Sequence, residues 1–167
     1  DIRIKDDLVN RPFQLWEVTN AIKKGTNTSP GWDKIHYPML RNLPHSALKV
    51  LLKIFNEIWD SGSIMEGWRT FVIIPILKSG KDPNSFLSYR LIALSSCVCK
   101  TYERMIKLRL NWWLEEHQKL SPHQLGFRKQ RSTLDYLSAF VNEVYTNLTE
   151  NKHTLLPMWI YIKLMIT

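Results

Sequence analysis

Five cations in the middle of this sequence are of residue types that bind phosphate groups. Lys78 and Lys81 lie in a glycine-containing turn, and Arg90 lies nine residues after Lys81. Arg128 and Arg131 come just after a second short segment that contains glycine. The arginine guanidinium is a planar fork that binds two phosphate oxygens at once, whereas lysine supplies a compact point charge. These residues therefore predict contacts with a polyanion.

The distribution of charge along the chain favours the same chemistry. The 167-residue chain has a net charge of +8. Residues 1–66 contribute only +1, residues 67–135 contribute +7, and the remainder is neutral. An excess confined to the middle third suggests a surface that faces a polyanion. The alternative is a solvated basic face that has no partner.

Other residue types offer little catalytic chemistry. Cys97 and Cys99 are too close for an ordinary disulfide and do not match zinc-ligand spacing, and the five histidines are scattered. We expect the two thiols to be buried in a reducing compartment and predict no metal site. Asp33 is a lone carboxylate, for which a role in a loop or a helix cap is favoured.

The elements that carry the cations are predicted to be a hairpin and several helices. Residues 70–77 are β-branched and apolar, and a second apolar run at 91–94 follows the basic turn. Pro75 indicates an edge strand or a bulge. Lys78 and Arg90 then lie at the ends of the two strands, where both can point at one polyanion. For Arg90 the alternative is a salt bridge to a helix acid, and for Lys78 it is an exposed turn lysine.

Apolar periodicity predicts four helices around this hairpin. The first begins near Leu15 and stops at Gly25, and the second follows Pro44 and stops at Gly62. A long helix runs from about Ser96 to about Gln118, and another starts near Ser132 with a capping pattern. The long helix should bury one face and carry cations, including Arg109, around it; the predicted face is Tyr102, Ile106, Leu110, Trp113 and Leu114. Most of the seven tryptophans should be core residues, with Trp112 or Trp113 facing solvent. A last apolar segment, 155–162, is predicted to be a strand.

The order and spacing of short motifs in this chain resemble a known family. From about residue 13 to its end, the sequence is similar to the reverse transcriptases of non-LTR (LINE-like) retrotransposons. The motifs are SPGWDKI at 29–35, FNEIWDSG at 55–62, IPILKSGKDP at 74–83, SYRLIAL at 88–94, QLGFR at 124–128 and RST at 131–133. Each motif is weak alone, whereas the ordered set is specific.

The resemblance implies an α+β fold that is rich in helix. It implies the fingers subdomain of a right-hand polymerase, with a short β-hairpin and the truncated start of the palm. Residues 1–12 would be an upstream linker, residues 13–153 the fingers region, and residues 154–167 a divergent start of the palm.

The resemblance also implies roles for individual residues. Lys78 and Arg90 would bind the phosphates of the incoming nucleotide. The residues that would face the template or other nucleic acid are Lys81, Gln124, Gly126, Phe127, Arg128 and Arg131. Gly126 would permit close backbone approach, and Phe127 would anchor its segment in the core. The alternative for residues 124–128 is a loop that caps the next helix.

The catalytic carboxylates of the family are not found at the matching positions. Nucleotidyl transfer in this family uses carboxylate-bound divalent ions, magnesium in full-length relatives. Here Tyr161 and Thr167 stand where the aspartates are expected, and neither is a carboxylate ligand. Leu91 and Met65 also replace family prolines. We therefore expect no cofactor in this chain and no polymerase activity from it alone.

Three functional hypotheses follow. The first is a partial RNA-directed DNA polymerase domain whose relatives use an RNA template and a DNA primer. The second is a non-catalytic basic module that binds nucleic acid, and the third is a relic that folds poorly because its apolar faces are uncovered. We expect an intracellular location, in the nucleus or cytoplasm, with no membrane partner, while the oligomeric state stays open.

Overall fold

A computed structural model describes residues 7–153 of the chain, with side chains from Val9 onward. The chain divides into two compact units, one ending at His117 and the other beginning at Gln118. The predicted strand at 155–162, Tyr161 and Thr167 all lie outside the described residues. Within residues 7–153, no helix is long and apolar enough to span a membrane.

The first unit combines five helices with one antiparallel pair of strands, in agreement with the predicted α+β class. Two short 3₁₀ turns, Glu66–Arg69 and Phe86–Ser88, precede the strands. The helices are α1 (Asp7–Asn10), α2 (Leu15–Lys23), α3 (Tyr37–Arg41), α4 (His45–Ser61) and α5 (Cys97–Glu116), and the strands are β1 (Val72–Leu77) and β2 (Tyr89–Leu94).

Local sequence signals explain where the long helices begin and end. The predicted second helix is α4, and it ends at Gly62, whose φ of +66° is the left-handed conformation that favours glycine. The predicted long helix is α5, and the hydroxyl of Ser96 caps it by accepting hydrogen bonds from the backbone N–H groups of Val98 and Cys99. Helix α3 was not predicted from the sequence, because its five residues are too few to show an apolar periodicity.

The core of the first unit is formed by α2, α4 and α5. Aromatic rings meet edge-on or tilted at its centre, where Tyr102 lies 5.3 Å from Phe55, 5.5 Å from Trp68 and 5.9 Å from Phe13, measured between ring centroids. Such pairs add to the stabilisation that area burial provides. Cys97 and Cys99 are buried here, as predicted, and burial raises the pKa of the Cys99 thiol to about 12 with help from the nearby Glu103 carboxylate.

Gly25 was predicted only to end a helix, but the structure also gives it a role in packing. A Cβ atom at this position would lie 2.1 Å from the ring of Tyr37, which is itself fully buried. The helix α2 ends one residue earlier, at a cap residue with ordinary right-handed geometry. The glycine is therefore required because an aromatic ring packs directly against the backbone.

The buried face of α5 differs from the one predicted. Leu110 is exposed, whereas Met105 and Arg109 are buried. Arg109 forms a bidentate ion pair with Glu17 of α2, with N–O distances of 2.8 and 2.9 Å, and donates to backbone carbonyls of residues 9, 11 and 12. A guanidinium can be buried when each of its donors is paired, so this cation belongs to the interior and not to the basic surface.

The expectation that most tryptophans lie in the core is wrong for the described residues. Among the six tryptophans in residues 7–153, only Trp68 is buried. Trp16, Trp32 and Trp112 are each about half exposed or more, which confirms that the Trp112–Trp113 pair presents a ring to solvent. Indole rings are large and carry a polar N–H, so a tryptophan in an apolar stripe need not be enclosed.

The second unit contains a single described helix, α6 (Thr133–Thr149). The predicted capping pattern at its start is confirmed. The Ser132 hydroxyl accepts from the Asp135 backbone N–H at 3.4 Å, and the Asp135 carboxylate accepts from the Ser132 N–H at 2.6 Å. The apolar residues of α6 are mostly exposed: Leu134, Leu137, Val141, Tyr145 and Leu148.

Candidate nucleic-acid interface

The predicted hairpin exists and has a defined register. Strands β1 and β2 pair from Val72 opposite Leu94 to Leu77 opposite Tyr89. The Lys78 backbone N–H then donates to the Ser88 carbonyl at 2.8 Å, which extends the ladder by one residue. Among residues 7–153 the two strands pair only with each other, so both are edge strands there, consistent with Pro75 in β1.

This register places Lys78 and Arg90 on the same face of the hairpin. Arg90 lies opposite Ile76, and side chains two residues apart on a strand point to the same side. Lys78 is therefore a diagonal neighbour of Arg90, a relation that brings Cβ atoms within about 7–8 Å. One polyanion can reach both cations from that side.

The two cations differ in how they are held. Lys78 is partly exposed, and its ammonium donates to the Leu87 carbonyl at 2.8 Å, so the side chain is tethered to its own turn. An ammonium has three donors and keeps others for a ligand. Arg90 is exposed and forms no ion pair with any residue in 7–153, so its predicted alternative, a salt bridge to a helix acid, is not observed there.

Internal hydrogen bonds order the loop between the strands, residues 78–88. The Asp82 carboxylate accepts from the Asn84 backbone N–H at 2.9 Å, and the Tyr89 hydroxyl donates to the Pro83 carbonyl at 3.0 Å. Lys81 is exposed on this loop. The loop is thus a shaped, basic turn, which lowers the entropic cost of presenting its cations.

A second candidate segment, the 121–131 loop, lies in the second unit and contains the predicted residues 124–131. The Arg128 guanidinium donates to the Ser121 carbonyl at 3.1 Å and to the Gln124 carbonyl at 3.4 Å. Gln124, Lys129 and Arg131 are exposed. Arg128 therefore closes its own loop, while its neighbours present polar groups to solvent. The loop leads directly into α6, so the capping alternative stays open.

The resemblance implied that Phe127 anchors this loop in a core, but the structure shows otherwise. Its side chain is fully exposed, and its φ of +61° is unusual for a bulky residue. A left-handed backbone costs a residue with a side chain roughly 1–2 kcal/mol. The neighbouring Gly126 has open space around its Cα, so no close approach by another part of the described chain explains it.

Two other predicted positions have structural explanations. The Asp33 carboxylate accepts from the Ile35 backbone N–H at 3.2 Å, which is the loop role favoured for it. Within residues 7–153, no group of three or more His, Cys, Asp or Glu side chains is placed to hold a metal ion.

The structure shows two features that the sequence pattern missed. Two of the basic residues in 67–135 are internal: Arg109 is buried, and Arg104 donates to the Ala21 carbonyl at 2.8 Å and the Tyr37 hydroxyl at 3.0 Å. Charge counts alone cannot separate such residues from surface cations. The second feature is an open groove between α2 and α5, lined by Trp16 and Trp112.

Comparison with curated proteins finds relatives among the enzymes of mobile elements. The chain is 35% identical over 146 residues to the "Probable RNA-directed DNA polymerase from transposon BS" of Drosophila melanogaster. It is 34% identical over 147 residues to the "RNA-directed DNA polymerase from mobile element jockey" of the same species. It is 31% identical over 141 residues to the "Probable RNA-directed DNA polymerase from transposon X-element". No protein-family model matches the chain.

These matches cover most of this chain but little of the relatives. They include 82–84% of the chain and 16% of each of those three proteins. The similarity thus concerns one segment of a much larger enzyme, in agreement with the partial domain expected from the motifs.

Proposed function

We propose that this chain is the fingers region of an RNA-directed DNA polymerase from a non-LTR mobile element, the family to which its sequence belongs. Residues 13–153 then form the fingers of a right-hand polymerase, residues 1–12 precede them, and residues 154–167 begin the palm. Its partners are an RNA template and a DNA primer, met in the nucleus or the cytoplasm.

In this proposal the hairpin binds the triphosphate of the incoming nucleotide. The observation that carries it is the register that sets Lys78 and Arg90 on one face. Arg90 supplies a bidentate fork, and Lys78, tethered by the Leu87 carbonyl, supplies a point charge at a fixed place. Lys81 adds a third cation from the turn.

The 121–131 loop faces the template in the same proposal. Arg128 holds the loop closed, so that Gln124, Arg131 and the exposed ring of Phe127 are presented together. An outward aromatic ring suits an unpaired base, and Gly126 leaves room for a backbone or base to approach.

Catalysis needs residues that this sequence does not have at the matching positions. Magnesium, held by carboxylates in the full-length enzymes, would stabilise the charge that develops during nucleotidyl transfer. Tyr161 and Thr167 stand at the aspartate positions, so the donor set does not fit a divalent ion. The chain alone therefore binds substrates without joining them.

Binding to an RNA–DNA primer-template across a salt series tests this proposal. We expect affinity to fall linearly on a log–log plot, with a slope that implies several phosphate contacts. Arg90→Ala should weaken the binding of a nucleoside triphosphate to the complex of the chain with primer-template, because it removes a cation that contacts the triphosphate. Lys49→Ala, which removes one exposed charge from α4, is the matched control and should have a smaller effect.

Two results would contradict the proposal. Equal effects of the Arg90 and Lys49 substitutions would remove the assignment of Arg90. Incorporation of nucleotides by the chain with magnesium or manganese would overturn its inactivity. Strong, salt-dependent binding that is indifferent to added nucleoside triphosphate would favour the second hypothesis, a non-catalytic basic module supported by the +7 charge of residues 67–135.

A further inference from the structure

An open groove between α2 and α5 lies outside the hairpin and outside the 121–131 loop. Its volume is about 330 Å³, at the lower end of the range for small-ligand sites. Two indole rings line it, Trp16 from α2 and Trp112 from α5, and their exposed fractions are 59% and 45%. Met105 and Leu108 supply the other apolar surface.

The polar residues of the groove are unequal in what they can offer a ligand. Glu17 and Arg109 also line it, but each satisfies the other in the buried ion pair. Burial alone would raise the pKa of Glu17, yet hydrogen bonds from Arg109 and the Gln14 N–H outweigh it and hold that pKa below its ordinary value. The carboxylate charge is therefore neutralised and does not repel an anion.

Two other polar side chains of the groove are available. The Asn20 amide is half-buried and makes no side-chain hydrogen bond to any residue in 7–153, so it has both a donor and an acceptor to offer. Arg11 is exposed and contributes a cation. Along α2, helical spacing puts Lys23 and Lys24 next after Asn20, and both are exposed.

We propose that the Trp16–Trp112 groove binds an unpaired base of single-stranded RNA or DNA, with the adjoining phosphates held by Arg11 and by the lysines that end α2. Aromatic faces bind bases by stacking, and a free amide can pair with a base edge. The two exposed indole rings, the available amide and the nearby cations are the groups that an unpaired nucleotide needs. The site rests on the proposed function, since it gives the same nucleic acid a second, separate contact.

The test uses the full chain and a short single-stranded RNA that carries 2-aminopurine, a base whose fluorescence falls when it stacks. Binding to the wild-type chain should quench the probe. The double variant Trp16→Ala/Trp112→Ala should lose the quenching, and its affinity for the RNA should be lower by a factor of about five or more. Trp16→Phe/Trp112→Phe keeps the rings and should restore both readouts. Tyr136→Ala, which removes an exposed ring from α6, is the matched control and should change neither.

The outcomes separate this site from the proposed function. Arg90→Ala should weaken nucleoside triphosphate binding and leave the quenching of bound RNA intact. Salt-dependent binding of wild-type chain without quenching, or quenching that survives the double alanine variant, overturns the groove assignment and leaves the proposed function standing. An apolar dye that binds at the two indoles and is not displaced by RNA would assign the groove to an apolar partner. Absence of RNA binding at low salt overturns both.

Discussion

At the scale of single residues, the main lesson concerns which cations are on the surface. Arg109 and Arg90 both belong to the basic middle third, yet one is buried with a carboxylate and the other is exposed on a strand. Arg90 lies in one of the motifs and Arg109 on the predicted long helix, but charge counts predict the same role for each. Only the pairing of α5 with α2 decides that Arg109 is structural, because its partner Glu17 is 92 residues away.

We expect loss of Arg109 to destabilise the first unit strongly. Arg109→Met leaves the Glu17 carboxylate buried without its partner and should lower the free energy of unfolding by about 3–5 kcal/mol. Urea denaturation followed by circular dichroism measures the change. Adding Glu17→Leu should recover part of the loss, and only part, because carbonyls of residues 9, 11 and 12 stay unpaired. The same loss in Lys107→Met, an exposed neighbour, would contradict this explanation.

The same ion pair predicts how stability depends on pH. Since the pKa of Glu17 in the folded chain lies below its ordinary value of 4.5, the unfolded chain takes up the proton first. The stabilisation is therefore present above about pH 4.5 and is lost as the pH falls through the folded pKa. Urea midpoints measured from pH 6 downward should fall more steeply for the wild type than for Glu17→Gln. If the urea midpoints of both chains fall in parallel with pH, carboxylates other than Glu17 cause the loss of stability in acid.

At the scale of elements, the sequence predicted those parts whose signals are local. The stripe and the terminal Gly62 of α4, the two strands around the basic turn, and the Ser132 cap of α6 were all predicted and are all confirmed. What was missed depends on contacts between elements. The rotation of α5 that buries Met105 is one example, and the burial of Arg109 against Glu17 of α2 is another.

Gly25 offers a test of packing between elements. Gly25→Ala should destabilise the first unit because the new methyl group would collide with the buried ring of Tyr37. We expect a loss of about 1–3 kcal/mol, measured by urea unfolding. Gly126→Ala adds the same methyl group in open space and should change stability little. If Gly25→Ala costs as much in a Tyr37→Leu background as in the wild type, the collision is not the cause.

At the scale of the whole molecule, the described core is unevenly distributed. Every member of the buried apolar cluster lies between Phe13 and Met105, whereas α6 has no buried residue. The hairpin also exposes apolar side chains of both strands, including Ile73, Ile76 and Leu91. Exposed apolar surfaces of this kind are typical of sites that another protein segment covers.

This uneven core predicts that the first unit folds without the second. A chain of residues 1–117 keeps the aromatic cluster, the Glu17–Arg109 pair and both strands, so it should unfold cooperatively with nearly the midpoint of the full chain. Residues 118–167 alone should show little cooperative unfolding, because an isolated 17-residue helix is marginal in water. Thermal unfolding by near-ultraviolet circular dichroism distinguishes the two pieces. A truncated chain without a cooperative transition would mean that the core of the first unit is too small, and that residues beyond His117 supply the missing stability.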